Sequence, residues 1–283
     1  MESKDAPRWG SWSSSYFVGA ASSFLSTVLT FPIYKTIFRQ QLHTLTIRAA
    51  TRQLGKEGVR HLYRGLAPPL MAKTVQGTLL FGAQGSLQHL FSTGGTPGAK
   101  SRALSGCLSG AIEAVLLVPF ERVQNILQDG RNNVHFPNAR SIVQEFQTYN
   151  KRDWLSCGMY RGFSIILVRN MVGSAIFLSC KEPLRDLLTY PGLPAWAPSL
   201  GSGAVNGAFT SLVLYPLSVI LANMQAEVSN QLPHVRKVAQ RVWMKCGGRV
   251  SLLYRGASLI ILRSCITWGA TNCIHDTLSK QLL

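Results

Sequence analysis

Acidic residues are scarce in this chain. It has 12 Asp and Glu against 29 Lys and Arg, a formal net charge of +17 over 283 residues. Charge of either sign is thin, at 14% of residues, where a soluble globular domain carries about a quarter. Hydrophobic residues make up 46%, and the mean hydropathy is +0.13. This balance leans towards a membrane, and the length allows one large domain or two modest ones. A basic excess has two common partners, nucleic acid and an anionic membrane surface. The chain has no zinc-finger spacing, RNP-like aromatic motif or continuous basic helix, which speaks against nucleic acid. Its six cysteines form no C-x-x-C pair, and several lie in apolar runs, where Cys behaves as a small hydrophobe. No disulfide framework is expected. The start, "MESKDAPRWGSWSSS", lacks a secretory signal and the Arg-rich amphipathic character of a cleaved transit peptide. There is no nucleophile elbow, P-loop or H-E-x-x-H motif, and the six histidines show no metal spacing. No enzyme chemistry, metal or cofactor is expected.

What the chain does have is a repeat. "FPIYKTIFRQQ", "VPFERVQNILQ" and "YPLSVILANMQ" carry Pro32, Pro119 and Pro216 inside apolar segments. Thirteen residues before each proline stands Gly19, Gly106 or Gly203, followed four later by Ser23, Gly110 or Gly207. Nine residues after each proline stands Gln41, Gln128 or Gln225. "YRG" then recurs at 63–65, 160–162 and 254–256. The order is fixed in all three copies, which predicts a threefold repeat of roughly 90–100 residues. We place a flexible N-terminus at 1–12 and repeats at 13–95, 96–190 and 191–283, together one structural domain.

Each repeat reads as helix, surface helix, helix. The first helices are expected over 13–41, 101–128 and 196–225, the second over 66–90, 163–188 and 257–280. Each is long enough to span a hydrocarbon core, which needs about 20 residues. Their polar positions predict a face turned to a watery interior. The small-xxx-small pairs predict close helix packing. A proline inside a helix removes a hydrogen bond and kinks it. Between the long helices lie "TIRAATRQLGKEG", "NARSIVQEFQTY" and "HVRKVAQRVWMK", expected to lie along the membrane surface. Eighteen of the 29 basic residues fall in 39–64, 122–161 and 236–255. The positive-inside rule puts these segments on the negative side, with both termini opposite.

Six spans in three repeats, with "P…Q" closing each odd helix and "YRG" opening each even one, resemble the mitochondrial carrier family (solute carrier family 25). The likeness runs from about residue 15 to 280. "FPIYKTIFRQQL", "YRGLAPPLMAKT", "PFERVQNILQDG" and "YRGASLIILRSCITWG" are similar to the branch that contains NAD transporters. The resemblance implies an all-α membrane protein, a pseudo-threefold barrel of six helices around a central cavity. It implies a monomer in the inner mitochondrial membrane, with both termini on the intermembrane-space side. The prolines would draw the odd helices together to close the cavity on the matrix side.

In the family, an acidic residue two after the proline pairs with a basic residue five after it on the neighbouring helix. Here those positions hold Tyr34, Glu121 and Ser218, and Ile37, Gln124 and Leu221. Only Glu121 is charged, so this matrix gate must close by hydrogen bonds and apolar contacts. The cytoplasmic gate is eroded as well: Gly85/Gln88, Glu182/Arg185 and Asp276/Ser279, of which only the second is complete. An exposed ion pair is worth only about 0–1 kcal/mol, so this loss need not unfold the protein.

Lys73, Arg169 and Arg263 place one basic residue near the middle of each even helix. An intramembrane charge commonly faces a polar interior, and three from symmetric helices would make an anion pocket. Asn170 follows Arg169 at the family's substrate-contact position. Glu113 lies eleven residues before Gln124, on nearly the same helix face, which points it into the cavity. It serves either substrate or proton coupling, or as partner of an arginine. The "YRG" motifs resemble the family's cardiolipin sites, where helix-start amides hold a lipid phosphate; this implicates Tyr63, Gly65, Tyr160, Gly162, Tyr254 and Gly256. A simple helix-start turn is the alternative. The function implied is carriage of an anionic metabolite by alternating access, with NAD or a related nucleotide favoured. The alternatives are a small carboxylate as cargo, or a carrier fold without transport.

Overall fold

The structure is a computed structural model that describes residues 9–72, 98–190, 196–229, 231–263 and 266. Among the described residues there is no strand. The first repeat opens with α1 (Trp9–His43) and a surface helix α2 (Ile47–Glu57). The second has α3 (Ala99–Gln128), α4 (Ala139–Gln147) and α5 (Phe163–Leu187). The third has α6 (Trp196–Val213), α7 (Tyr215–Ala226) and α8 (Val235–Lys245). Residues 67–72 and 257–263 are helical, where the even helices of the first and third repeats are expected; most of those two helices lies outside the described residues.

Among the described residues, two helices are long and apolar enough to cross a membrane, Lys100–Gln128 and Phe163–Leu187. A third span arises if the bent pair Leu200–Val213 and Tyr215–Ala226 counts as one. That bend, 63°, breaks the single helix expected over 196–225. The break puts Pro216 in the first turn of α7, where its missing N–H costs no hydrogen bond. Pro32 and Pro119 instead lie inside the unbroken helices α1 and α3.

The three surface helices share one design. Each buries an apolar pair one turn apart: Ala50 and Leu54, Ile142 and Phe146, Val238 and Val242. That spacing gives a narrow apolar stripe, with the other faces left to charged residues. The main core joins all three repeats, through Ile37, Val118, Ile166, Tyr215 and Ile260 among others. On the opposite side of α3, Leu104, Leu108, Ile112 and Leu116 are exposed one turn apart. A continuous exposed apolar stripe of this kind marks a face turned to lipid or to another protein.

Where α3 meets α5 the small residues carry the contact. A Cβ on Gly106 would stand 2.7 Å from the Ser174 carbonyl oxygen, and one on Gly110 2.3 Å from that of Asn170. The backbones are close enough that only glycine fits. This contact fixes Asn170, and with it Arg169, against α3.

Candidate functional site

A cavity of about 460 Å³ opens between α1, α3, α5, α6, α7 and the helix that begins at 257. Small-molecule sites have roughly 300–1,000 Å³. Symmetric positions of the repeat line it: Tyr34, Glu121 and Ser218, two after each proline, and Phe38, Asn125 and Ala222, six after each. Of the expected substrate contacts, Glu113, Arg169, Asn170 and Arg263 all face it. Gln124 lines an adjoining space of about 250 Å³ that shares Tyr34, Glu121, Arg169 and Arg263. Lys73 lies outside the described residues.

The site's central contact joins two residues that the sequence assigned to different tasks. Nη2 of Arg169 donates to both carboxylate oxygens of Glu121, at 2.7 and 2.9 Å. Nε and Nη2 also reach Asn170 Oδ1, at 3.2 and 3.1 Å. Glu121, the one charged residue of the expected matrix gate, thus holds the arginine expected to hold substrate. Both side chains stay partly open to the cavity, at 20% and 25% exposure. A pair of this kind is worth little net stability, yet it gives each charge a partner inside the cavity.

Arg263 finds a different partner. Its guanidinium lies over the Tyr34 ring, 5.5 Å from the centroid, and its Nε is buried without a hydrogen-bond partner. A cation over a ring face is held by the ring quadrupole and keeps its N–H groups available. Two arginines and two carboxylates therefore share the cavity among the described residues. Among the described residues the cavity's charges balance, where three basic residues alone would have made a plain positive well.

At the end of the cavity towards the surface helices, the odd helices meet through neutral hydrogen bonds. Asn125 Nδ2 donates to Gln225 Oε1 at 2.6 Å, and Asn223 Nδ2 to the Gln41 carbonyl at 3.1 Å. Arg122, fully buried, donates to the carbonyls of Gly158, Gln225 and Glu227. These contacts join the second repeat to the third and the third to the first. At the other end, Glu182 pairs with Arg102 of α3, while Arg185 is exposed. Asp276 lies outside the described residues.

The three "YRG" turns have one backbone. Gly65, Gly162 and Gly256 adopt φ of 87°, 83° and 100°, a left-handed conformation that favours glycine. Each also packs against the next repeat in cyclic order: Gly65 on Leu127, Gly162 on Leu221, Gly256 on Gln40. The arginine between follows the same order. Arg64 donates to Asn132 and Phe136 carbonyls, Arg161 to those of Met224, Ser229 and Gln231, and Arg255 to that of Thr44. The tyrosines differ: Tyr160 donates to the Val115 carbonyl at 3.1 Å, Tyr63 stacks on Phe31 and Tyr254 on Tyr215.

Sequence reasoning missed these arginines. Arg39, Arg122 and Arg161 were counted as surface charge, yet they are at most 1% exposed. The threefold recurrence of "YRG" was the signal that could have found Arg161, together with Arg64 and Arg255; no comparable signal marked Arg39 or Arg122. Sequence reasoning also passed over Asn125, six after Pro119, and Thr210 and Ser211, polar cavity residues that no quoted motif marks.

A family model described as "Mitochondrial carrier protein" matches residues 8–95, 96–192 and 194–283. The human protein "Solute carrier family 25 member 53" is 51% identical over 98% of this chain and 91% of its own length. The "Mitochondrial nicotinamide adenine dinucleotide transporter SLC25A51" of Mus musculus is 32% identical over 94% of this chain and 88% of its own. The human "Mitochondrial nicotinamide adenine dinucleotide transporter SLC25A52" is 30% identical over 94% and 88%.

Proposed function

We propose that this chain, which belongs to the mitochondrial carrier family, moves an anionic metabolite across the inner mitochondrial membrane by alternating access, with NAD or a related nucleotide as cargo. The observation that carries this reading is the Arg169–Glu121 contact inside the cavity. An incoming anionic group displaces Glu121 from Arg169, gains its fork-shaped donor set, and frees the residue that stands two after Pro119. Substrate binding and release of the gate helix then become one exchange of partners. Nucleotide cargo is supported by the relatives named as NAD transporters. Arg263 over Tyr34 supplies a second set of donors for an extended anion.

The architecture that goes with it is a monomeric barrel of six tilted helices in three repeats, 13–95, 96–190 and 191–283, after a flexible 1–12. Support comes from the cyclic order of the "YRG" contacts, first repeat to second, second to third and third to first. Both termini lie on the intermembrane-space side, and the surface helices face the matrix. The left-handed glycines of the "YRG" turns would cradle cardiolipin headgroups at the following helix starts.

The test is uptake of labelled NAD into cardiolipin-containing liposomes, with Arg169→Ala and a panel of carboxylates beside it. NAD uptake lost in the variant is the expected result. Uptake of a carboxylate instead would keep the carrier and discard the nucleotide. No uptake of any solute by folded protein would overturn transport altogether.

A further inference from the structure

A second basic site lies away from the cavity, at the end of the bundle that carries the surface helices. A cleft of about 420 Å³ runs between the end of α1, α2 and the turn Gly130–Asn132. Arg39, His43, Gln53 and Arg131 supply its polar lining, with Leu45 and Ala49 between them.

The charges in its wall are nearly balanced. Arg39 Nη2 donates to Glu57 at 2.9 Å, and Arg131 donates to Asp129 through Nε and Nη2. The donors are not balanced. Arg39 is 1% exposed, yet its Nε and Nη1 have no partner. Its guanidinium lies flat against Gly130, where a Cβ would stand 2.4 Å from Nη1. Gln53 Oε1 is also buried without a partner, and a turned amide would present Nε2 instead. Buried donors without acceptors cost about 1–3 kcal/mol each, so native structures rarely leave them so. The next face of α2 adds Arg48, Arg52 and Lys56 around a shallow space that shares Ala49 and Gln53 with the cleft.

We propose that this cleft binds a phosphate group, with the free N–H groups of Arg39 as its base and Arg131, His43 and Gln53 at its rim. A tetrahedral phosphate offers several acceptors to one guanidinium. A neutral carbonyl would satisfy one donor and leave the other. The same chemistry is found in inorganic or nucleotide phosphate and in a phospholipid headgroup, and the site accepts the group itself.

The test uses the full chain in neutral detergent, with unfolding temperature followed against inorganic phosphate at constant ionic strength. Ligand bound to the folded state alone raises that temperature. The phosphate concentration for half effect is expected to rise at least about tenfold in Arg39→Lys, which keeps the charge and loses the fork, and in Arg131→Gln. Arg131 is 61% exposed, so its variant tests the site even where the Arg39 variant folds poorly. Lys151→Gln, an exposed charge outside both the cleft and the cavity, should leave the response unchanged, and Arg169→Gln reports any phosphate held in the cavity instead. Added cardiolipin that abolishes the phosphate response assigns the site to lipid, and a response that persists assigns it to soluble phosphate. An equal response in the parent and both cleft variants, no response in any of them, or a response lost only with Arg169→Gln overturns the proposal.

Discussion

Glu121 and Arg169 stand 48 positions apart in the chain and share two hydrogen bonds, 2.7 and 2.9 Å, across the cavity between α3 and α5. The carboxylate occupies the place that an anionic ligand needs.

Replacing Glu121 with Gln removes that internal competitor. A partly exposed ion pair is worth about 0–1 kcal/mol, and about 1.4 kcal/mol is tenfold in affinity. The KM for the transported anion is therefore expected to fall by up to about fivefold. Initial uptake rates over a range of substrate concentrations measure it. An unchanged or higher KM would mean that Glu121 is no rival of the substrate.

The neutral contacts between odd helices should prove structural. Asn125→Asp removes the donor to Gln225 Oε1 and sets two acceptors 2.6 Å apart in a buried site. A loss of at least about 1–3 kcal/mol is expected, visible as a lower unfolding temperature in detergent. A variant as stable as the parent would show that this hydrogen bond does not hold the helices together.

Three glycines should give three different results. Gly162→Ala forces a side chain into φ 83° and brings Cβ within 3.0 Å of Leu221 Cδ1, at a cost of about 1–2 kcal/mol. Gly110→Ala must push α5 away from α3, because its Cβ would stand 2.3 Å from the Asn170 oxygen; both stability and substrate affinity should drop. Gly55, inside α2 with open space around it, gains about 0.5–1 kcal/mol as Ala. Unfolding temperatures in one detergent rank the three, and the order G55A, parent, then the other two is the one expected.

Asp129 gives a pH signature. Burial alone would raise its pKa, but His43, 3.8 Å away, and the hydrogen bonds from Arg131 overcome this and hold it down to about 2. A carboxyl whose folded value lies below its unfolded one stabilises the fold above about pH 4, and that contribution is lost as pH falls towards 2. The difference from the ordinary carboxylate value amounts to about 2 kcal/mol. Asp129→Asn should unfold at a lower temperature than the parent at pH 7, with the gap closing between pH 4 and 2. A gap that stays constant with pH would assign the loss to something other than ionisation.

Much of the local structure was legible because it depends on neighbours in the chain. The surface helices appear within a residue or two of their expected ends, since their apolar pairs and polar faces are written at helical spacing. The close approach at Gly106 and Gly110 was expected from the small-xxx-small pattern. A kink at each of the three prolines was expected from their shared motif; a 63° break stands before Pro216, while Pro32 and Pro119 lie inside helices that run on unbroken. Identical local signals gave different outcomes where the surroundings differ.

The sequence by itself determined that there are three repeats, most of the helical segments among the described residues, and which residues could face a polar interior. Repetition and period are properties of the chain, readable without any partner. Only the tertiary structure decided which charges meet. Arg169 took Glu121, Arg263 took the Tyr34 ring, and Arg122 and Arg161 turned inward to carbonyls of another repeat. Each choice rests on distances between helices far apart in sequence. A buried guanidinium takes whatever acceptor the packing brings within about 3 Å, and no spacing rule along the chain records that.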